Sequence, residues 1–389
     1  MSTTASCFAQ VLSLVDRNDF ARAVIDHGAE RGAKGFSCWD QFVSMLFCQV
    51  GGANSLREIC GGLATAMGKL VHLGMEEAPA RSTLAYANEH RTWKMYEDVF
   101  ASVLQRCQAL AATKKRKFRF KNPMRSLDAS VIDLCLKTFD WARFRRTKGA
   151  IKLHLQLDHQ GYLPCWALIT DGKKHEVKVA QHLSFAPGTI VAMDRGYNDY
   201  TLFAEWTEAG VFFVTLAKDN MVYEVVEERD VPTQGNVLSD ETIRLSGAGA
   251  TEKCPHLLRR IVVWDEANDR EIVLLTNLFH LAASTVAAIY KERWQIELFF
   301  KALKQHLKVK TFIGTNENAV KIQIWTALIA ILLLKFLQLK SSWSWSLSNL
   351  AALLRFNLLT YRDLWAWLDD PFQIPPLEPQ PEQLELFRS

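Results

Sequence analysis

The chain has 389 residues, of which 49% are hydrophobic and 23% are charged. These values are typical of a folded protein with a large core, and they exclude a disordered chain. The net charge is only +4, so binding to nucleic acid has to be sought in local patches. The eight cysteines form no CxxC pair and the N-terminus shows no secretory signal. This combination predicts reduced thiols in a cytoplasmic protein that does not enter the membrane.

The first third of the sequence, residues 1–115, predicts a separable helical unit. Its apolar residues recur at helical spacing, and Ser55-Leu-Arg-Glu58 is a capping box that opens a helix. A break at residues 74–79 leads to a helix that begins near Arg81 and ends near Arg91. A break followed by a helix with basic ends is typical of a helix-turn-helix DNA reader. An ordinary helical bundle with a polar outer face explains the same residues equally well.

A basic segment comes next in the chain. Between Lys114 and Lys121, six of the eight residues are Lys or Arg, and two Phe are interleaved with them. Runs of this kind are usually solvated linkers. Because the segment precedes a strand-rich part of the sequence, we expect a linker that also touches the phosphates of a DNA backbone.

The spacing of apolar residues then becomes strand-like. The predicted strands cover residues 126–132, 149–158, 162–170, 189–194 and 211–216, with a helix over 200–208 before the last. Asp128 lies within the first of these strands, and Asp194 ends the fourth. A carboxylate in or at the end of a strand is disfavoured unless it is paired, ligated or exposed. A strand-end aspartate that caps a turn is the simpler interpretation of Asp194 alone.

The segment between Asp194 and Glu297 is longer than one strand and a turn require. Residues 219–284 within it predict a β-rich unit, with strands over 221–227, 242–245, 257–264 and 272–276.

Further along, the apolar run over residues 324–334 is too short to span a bilayer and predicts a buried helix.

Residues 290–304 contain no Pro or Gly and predict a single helix. At about 100° per residue, Tyr290, Arg293, Glu297 and Lys304 fall within about 60° of one another and form one polar stripe. The apolar side chains gather on another face: Ile296, Phe299, Leu303 and Leu307. A carboxylate between two cations suits a site for a metal ion and phosphates. A solvated helix face with an Arg293–Glu297 ion pair is the alternative.

Four residues in this helix resemble the YREK signature of a family of bacterial transposases, the insertion-sequence-four family of the DDE superfamily: Tyr290, Arg293, Glu297 and Lys304. Leu127-Asp128-Ala129-Ser130 is similar to the first acidic motif of that family. Met193-Asp194-Arg195-Gly196-Tyr197 is similar to the second. The resemblance implies a catalytic core like that of ribonuclease H, and the predicted order of strands agrees with such a core.

The resemblance further implies that Asp128, Asp194 and Glu297 are catalytic and hold two Mg²⁺ ions, for which Mn²⁺ can substitute. In such sites the two metals lie roughly 3.5–4 Å apart, and they activate the nucleophile and stabilise the leaving oxygen of a phosphodiester. Asp133 and Asp140 are rival first aspartates, but neither has the matching flanking residues.

The same resemblance implies that three residues hold the cleaved end of the element: Tyr290, Arg293 and Lys304. Trp264 is expected to stack on a flipped base, although a Trp packed in a small β core is the simpler interpretation. Arg81 and Arg91 are the expected DNA contacts of the N-terminal helices. The implied partners are double-stranded DNA, as element ends and as target, and a second copy of the chain in a homodimeric DNA complex.

Together these patterns predict an α/β fold with a ribonuclease-H-like catalytic core and a β-rich insertion domain, preceded by a helical N-terminal domain and followed by C-terminal helices. The predicted units are residues 1–115 for DNA binding, 116–218 and 285–340 for the core, 219–284 for the insertion, and 341–389 for C-terminal helices and a Pro-rich tail. The predicted function is that of a cut-and-paste DNA transposase. The alternatives are a metal-dependent nuclease of the same fold without strand transfer, and a non-catalytic DNA-binding repressor.

Overall fold

The computed structural model describes residues 5–66, 69–134, 139–145, 148–172, 176–231, 234–306 and 312–372. Leu307 of the predicted apolar face and the Pro-rich tail beyond residue 372 lie outside these ranges. Within them, a helical part, a strand-rich part and a second helical part follow one another along the chain.

The first part is helical, as predicted: α1 (Cys7–Leu12), α2 (Arg17–Asp26), α3 (Cys38–Gly51), α4 (Leu56–Ala64), α5 (Arg81–His90) and α6 (Lys94–Ala112). The predicted cap at Ser55 is confirmed, because its Oγ accepts a hydrogen bond of 3.2 Å from the Glu58 backbone N–H. That bond satisfies one of the N–H groups that every helix leaves without an intrahelical partner in its first turn.

The C-terminal helices are α12 (Glu317–Lys340), α13 (Leu347–Asn357) and α14 (Leu364–Asp369). Helix α12 contains the apolar run over residues 324–334 and packs against α3 and α6. By length and composition, α12 is the one helix among the described residues that could cross a membrane. However, 83% of its most apolar 18-residue stretch is buried inside the protein. It is therefore the central core helix, as the sequence predicted.

The N-terminal helices share one hydrophobic cluster with the C-terminal helices, whereas the sequence alone predicts a separable unit. Buried side chains from Phe8 to Leu368 belong to one continuous cluster. The backbone N–H of Cys7 donates to the Thr360 carbonyl at 3.0 Å, and that of Phe8 donates to the Leu358 carbonyl at 2.8 Å. The physical reason is that α3 and α6 bury their apolar faces against α12, which the chain supplies much later.

The strands form one sheet: β1 (Met124–Leu134), β2 (Arg143–Arg145), β3 (Lys148–Asp158), β4 (Leu163–Asp171), β5 (Ile190–Met193), β6 (Phe212–Leu216), β7 (Tyr223–Glu228), β8 (Val237–Leu245), β9 (Leu258–Asp265) and β10 (Arg270–Thr276). Strands β3 and β4 are the predicted hairpin. Helices α7 (Glu176–Ala180) and α8 (Tyr200–Glu208) connect β4 to β5 and β5 to β6, and α9 (Ala250–Lys253) follows β8.

The central strands lie in the order β4-β3-β1-β5-β6. Strand β3 is antiparallel to both β1 and β4, whereas β1, β5 and β6 are parallel to one another. Parallel neighbours bring their carboxyl ends to the same edge of the sheet. The pairing of Leu127 with Met193 thus places Asp128, within β1, beside Asp194, which directly follows β5 at that edge.

The β-rich insertion continues the central sheet. Strand β10 pairs antiparallel with β6, and β9, β8 and β7 follow outward from β10. All four strands predicted within residues 219–284 are present, each shifted by a few residues at its ends. Since backbone hydrogen bonds run from the core into the insertion, the insertion is held as an extension of the core.

The helix predicted over residues 290–304 is divided into α10 (Ala283–Glu292) and α11 (Trp294–His306), and this corrects the prediction of a single helix. Arg293 lies at the junction. Its backbone N–H donates to the Tyr290 carbonyl at 3.0 Å, and its own carbonyl accepts from the Ile296 N–H at 3.0 Å. Both bonds span three residues, so the chain tightens there into a turn narrower than an α-helix.

Candidate active site

Two aspartates lie side by side on neighbouring strands, Asp128 within β1 and Asp194 directly after β5, and backbone hydrogen bonds hold each carboxylate. Asp128 Oδ1 accepts from the Ala129 N–H at 2.7 Å, and Asp194 Oδ1 accepts from the Gly196 N–H at 3.0 Å. Asp194 also caps the 3₁₀ turn that begins at Arg195. The capping interpretation of Asp194 is therefore correct, and it is compatible with a second role for the carboxylate.

Arg293 joins Asp128 to Glu297. Its Nη2 donates to Glu297 Oε1 at 2.7 Å, and its Nη1 lies 3.6 Å from Asp128 Oδ2. The residue is only 8% exposed, and its Nε has no hydrogen-bond partner among the described residues. The guanidinium at the helix junction thus connects carboxylates from a strand and a helix that lie far apart in the sequence.

The charges of the three acids act on one another. Burial raises the pKa of Asp128 to about 6; the Ala129 N–H and Arg293 lower it, and the charges of Asp194 and Glu297 raise it. A carboxyl group with two like-charged neighbours favours its protonated form unless a cation compensates. The site therefore concentrates more negative charge than one arginine balances.

The donor set suits a hard divalent cation, because all three acids offer oxygen and Mg²⁺ and Mn²⁺ prefer oxygen ligands. Within the described ranges, no three acidic, His or Cys side chains already meet closely enough to coordinate one ion. Arg293 supplies the positive charge between Asp128 and Glu297 in this arrangement.

The other two residues of the predicted stripe lie on either side of this arginine. Tyr290, on α10, packs against the apolar cluster that includes Val286 and Ile289, and its ring centre lies 5.5 Å from the Arg293 guanidinium carbon. Burial raises the pKa of Tyr290 above its usual value. Lys304, on α11, donates through Nζ to the Val131 carbonyl of β1 at 3.0 Å. In this structure Lys304 therefore ties the helix to the strand that carries Asp128.

Trp264 is partly buried near the end of β9. Its backbone N–H donates to the Asn236 carbonyl at 2.7 Å. Strand β9 runs parallel to β5, three strands away, so Trp264 lies on the same edge of the sheet as Asp194. With strands spaced by about 4.8 Å, the lateral separation is roughly 15 Å.

The two arginines of the N-terminal helices differ in their surroundings. Arg81 is exposed at the start of α5, and with Arg57 it lines a surface groove of about 740 Å³. Arg91 donates through Nη1 to the Ser37 carbonyl at 2.8 Å and through Nη2 to the Phe36 carbonyl. It therefore holds the entry to α3, and of the two only Arg81 is exposed to solvent.

The rival aspartates lie elsewhere: Asp133 is exposed on β1 and Asp140 begins a short 3₁₀ turn.

A buried carboxylate that no sequence motif indicated, Glu292, lies beside the site. It is 4% exposed, and its Oε1 accepts from the Tyr162 hydroxyl at 2.6 Å. Its Oε2 pairs with Lys117, which belongs to the basic segment over residues 114–121. The basic segment is thus attached to the end of α10, one residue before Arg293. The only sequence signal was the adjacency of Glu292 to Arg293.

Tyr197 is a second site residue to which sequence reasoning assigned no role, although it ends the motif that begins at Met193. It is 1% exposed, and its hydroxyl has no hydrogen-bond partner among the described residues. Burial raises the pKa of Tyr197 well above its usual value, and the charges of Asp128, Glu176 and Asp194 raise it further. The phenol therefore lies within electrostatic reach of both aspartates.

Comparison with known proteins gives two family matches. The model of the transposase DDE domain matches residues 119–333, and a domain of unknown function, DUF4372, matches residues 3–76. A protein of Geobacillus stearothermophilus, named as the probable transposase for insertion sequence element IS5377, is 32% identical over 68% of this chain and 71% of its own length. A protein of Sinorhizobium fredii that is named as a transposase is 33% identical over 72% of this chain and 77% of its own length. The cryo-EM structure of a piggyBac transposase synaptic complex with hairpin DNA aligns with 96% of this chain and 82% of its own, at 10% identity and a TM-score of 0.46, a likeness too weak to support an argument.

Proposed function

The chain belongs to the transposase DDE-domain family and is a DNA transposase, and we propose that it moves an insertion sequence by cut-and-paste chemistry at Asp128, Asp194 and Glu297. One observation carries this assignment. Arg293 contacts both Asp128 and Glu297, and Asp194 lies beside Asp128 at the edge of the sheet. A DNA-binding repressor has no need of two acids paired with one buried cation and a third acid beside them.

In this proposal the three acids hold two Mg²⁺ ions, with Mn²⁺ as a substitute. A divalent ion supplies a nucleophilic water at neutral pH and stabilises the leaving oxygen of the phosphodiester. The chain's own residues prepare the site. Backbone N–H groups orient one oxygen of each aspartate. Arg293 balances the charges of Asp128 and Glu297.

Three residues are proposed to hold the cleaved end of the element, as in the YREK pattern of the insertion-sequence-four family: Tyr290, Arg293 and Lys304. The support is their placement around Glu297: the Tyr290 ring lies next to the Arg293 guanidinium, and Lys304 lies on the helix that carries the acid. Exchanging carboxylate and carbonyl partners for phosphate oxygens keeps both cations hydrogen-bonded.

The proposed partners are double-stranded DNA, as element end and target, and a second copy of the chain in the DNA complex, within the cytoplasm. Three features support contact with DNA beyond the active site. Arg57 and Arg81 line a groove at the start of α5. The basic segment over residues 114–121 lies beside the catalytic helices through Lys117 and Glu292. Trp264 lies on the catalytic edge of the sheet, where a base could stack.

The test is cleavage of DNA that carries the inverted repeats flanking this reading frame. Asp128→Asn is expected to lose metal-dependent nicking while it retains binding to the repeat, because the side chain holds metal and not sequence. Asp133→Asn is the matched control, since Asp133 is exposed on the same strand. Wild-type nicking by Asp128→Asn in Mg²⁺, or equal losses in both variants, would show that Asp128 is not a metal ligand.

A further inference from the structure

Glu292 is a buried carboxylate that the proposed chemistry does not use. It is 4% exposed and ends α10, one residue before Arg293. Its Oε1 accepts a hydrogen bond from the Tyr162 hydroxyl at 2.6 Å, and its Oε2 forms an ion pair with Lys117 Nζ. Because a buried carboxylate needs a counter-charge, Lys117 is held at the end of α10.

Further contacts fix the part of the basic segment that follows this ion pair. The Phe118 and Phe120 rings are stacked, with ring centres 4.9 Å apart, and both pack against the apolar cluster that contains Val286 of α10. In addition, Arg116 Nη1 donates to the Lys121 carbonyl at 2.6 Å, which closes the segment on itself. The basic segment is therefore seated on α10, and it is not a solvated linker.

The cations of the segment differ in what they contact. Within the described ranges, Lys117 is the one among the six that pairs with an acid. The other five are exposed to solvent: Lys114, Lys115, Arg116, Arg119 and Lys121. Like charges on a short stretch of chain repel one another, and an ordered surface that keeps them together suits a polyanion such as the DNA backbone.

The segment also lies within reach of DNA bound at the active site. Asp128 follows Lys121 by seven residues, which span at most roughly 25 Å. One turn of duplex DNA is longer, at about 34 Å. A duplex held at Asp128 therefore has backbone phosphates at the distance of the segment.

We propose that Glu292 is a positioning residue for DNA binding, which seats the basic segment through Lys117 so that the remaining cations meet phosphates of DNA held at the active site. The proposal rests on the active site assigned above. In this role Glu292 favours DNA binding although it carries the same sign of charge as DNA. A carboxylate without the role opposes binding by repulsion. The sign of its effect on DNA affinity therefore separates the two roles.

The test measures the affinity of the full chain for a DNA duplex of mixed sequence, in EDTA, by fluorescence anisotropy at several salt concentrations. We expect Glu292→Gln, which keeps an acceptor for Tyr162, to weaken binding and to reduce the slope of log Kd against log salt by about one or more. Lys117→Met should also weaken binding. The double variant should bind no more weakly than the weaker single variant, since both changes remove one anchor.

Glu241→Gln is the matched control. Glu241, on β8, is also partly buried and also pairs with a cation, Arg260, at 2.9 Å. It belongs to the insertion and has no contact with the basic segment among the described residues. Its removal should leave the affinity for the duplex and the salt slope at their wild-type values.

An affinity of Glu292→Gln that equals or exceeds that of the wild type overturns the proposal, as does an equal loss in Glu241→Gln. Additive effects of Glu292→Gln and Lys117→Met also overturn it, because Lys117 then contacts phosphate on its own. Should Glu292→Gln not fold, Lys117→Met is compared with Lys115→Met, an exposed neighbour of the same charge. A larger loss in Lys117→Met supports an anchor, and equal losses overturn it.

The duplex assay needs neither a metal ion nor the element end. Its failure is therefore distinct from failure of the proposed function. If Asp128→Asn retains metal-dependent nicking while Glu292→Gln loses affinity for the duplex, the metal site is refuted and the role of Glu292 in seating the basic segment stands. If the wild type binds no duplex, both are refuted.

Discussion

Replacing Asp240 by Ala tests the buried ion pair that connects the insertion to α10. Arg259 donates through Nε and Nη2 to the two Asp240 oxygens at 2.8 and 2.6 Å, and the side chains are only 2% and 4% exposed. Through Nη1, Arg259 also donates to the carbonyls of Leu278 and Leu281 at 2.7 and 2.6 Å. These carbonyls lie just before α10, which begins at Ala283 and leads to the helix junction at Arg293.

The expected loss follows from the burial of both partners. Without Asp240, the Arg259 guanidinium remains inside the protein with two carbonyl partners and no counter-charge. Breaking a buried pair in this way costs about 3–5 kcal/mol of unfolding free energy. Arg229 lies 3.7 Å from Asp240 and is partly exposed, so it can turn to solvent and adds little to the loss.

The assay is urea unfolding of the full chain, with Asp265→Ala as the control. Asp265 pairs with Arg270 at 3.8 Å, and the Arg270 side chain is 66% exposed, so its loss is expected to cost about 1 kcal/mol or less. If the two variants lose the same unfolding free energy, the argument from an uncompensated buried charge is refuted. A drop in metal-dependent cleavage by Asp240→Ala at temperatures where it stays folded would show that the pair also positions α10.

Three further predictions concern other parts of the molecule. Burial lowers the pKa of His159 to about 4 in the folded chain, whereas the unfolded value is about 6.5. The unfolded chain therefore binds the proton at a higher pH, and the free energy of unfolding decreases as pH falls from about 6.5 toward 4. In urea unfolding at pH 7.5 and 5, His159→Gln should reduce this loss of stability, and an unchanged loss would contradict the prediction. Lys304→Met should weaken binding to cleaved element-end DNA, and the loss of affinity should be smaller at low salt. Lys301 is an exposed neighbour, so Lys301→Met should weaken this binding less. Equal losses of affinity in the two variants would show that Lys304 has no special role in binding the end. A fragment of residues 1–115 should not fold alone, since its core is completed by α12; a cooperative thermal transition of that fragment would refute a shared core.

The sequence predicted the placement of those candidate site residues that have a recognisable local pattern. Asp128 lies within a predicted strand, Asp194 follows an apolar strand, each has a recognisable motif around it, and parallel pairing then brings them together. The strands of the insertion were also predictable, because apolar and β-branched residues mark them. What the pattern could not give was that β10 would pair with β6, since strand partners depend on tertiary arrangement and not on local spacing.

The break at Arg293 illustrates why the rest was not predictable. Residues 290–304 contain no helix breaker, so intrinsic propensity favours one helix. The turn instead accompanies a tertiary arrangement in which Arg293 reaches Asp128 while the preceding residue, Glu292, is buried against Tyr162 and Lys117. Likewise, no pattern in the sequence reveals that the Tyr197 hydroxyl would be enclosed without a partner.

The shared core also has a consequence for synthesis of the chain. Helices α3 and α6 leave the ribosome long before α12. The backbone hydrogen bonds from Cys7 and Phe8 cannot form until Thr360 and Leu358 have been synthesised. At about 5–20 residues per second, the apolar faces of the early helices stay uncovered for about 10–50 s. During that interval the exposed hydrophobic surface of the nascent chain can bind chaperones or associate with other nascent chains. Slower translation through the strand-rich middle should therefore lower the yield of soluble protein more than slower translation after α12.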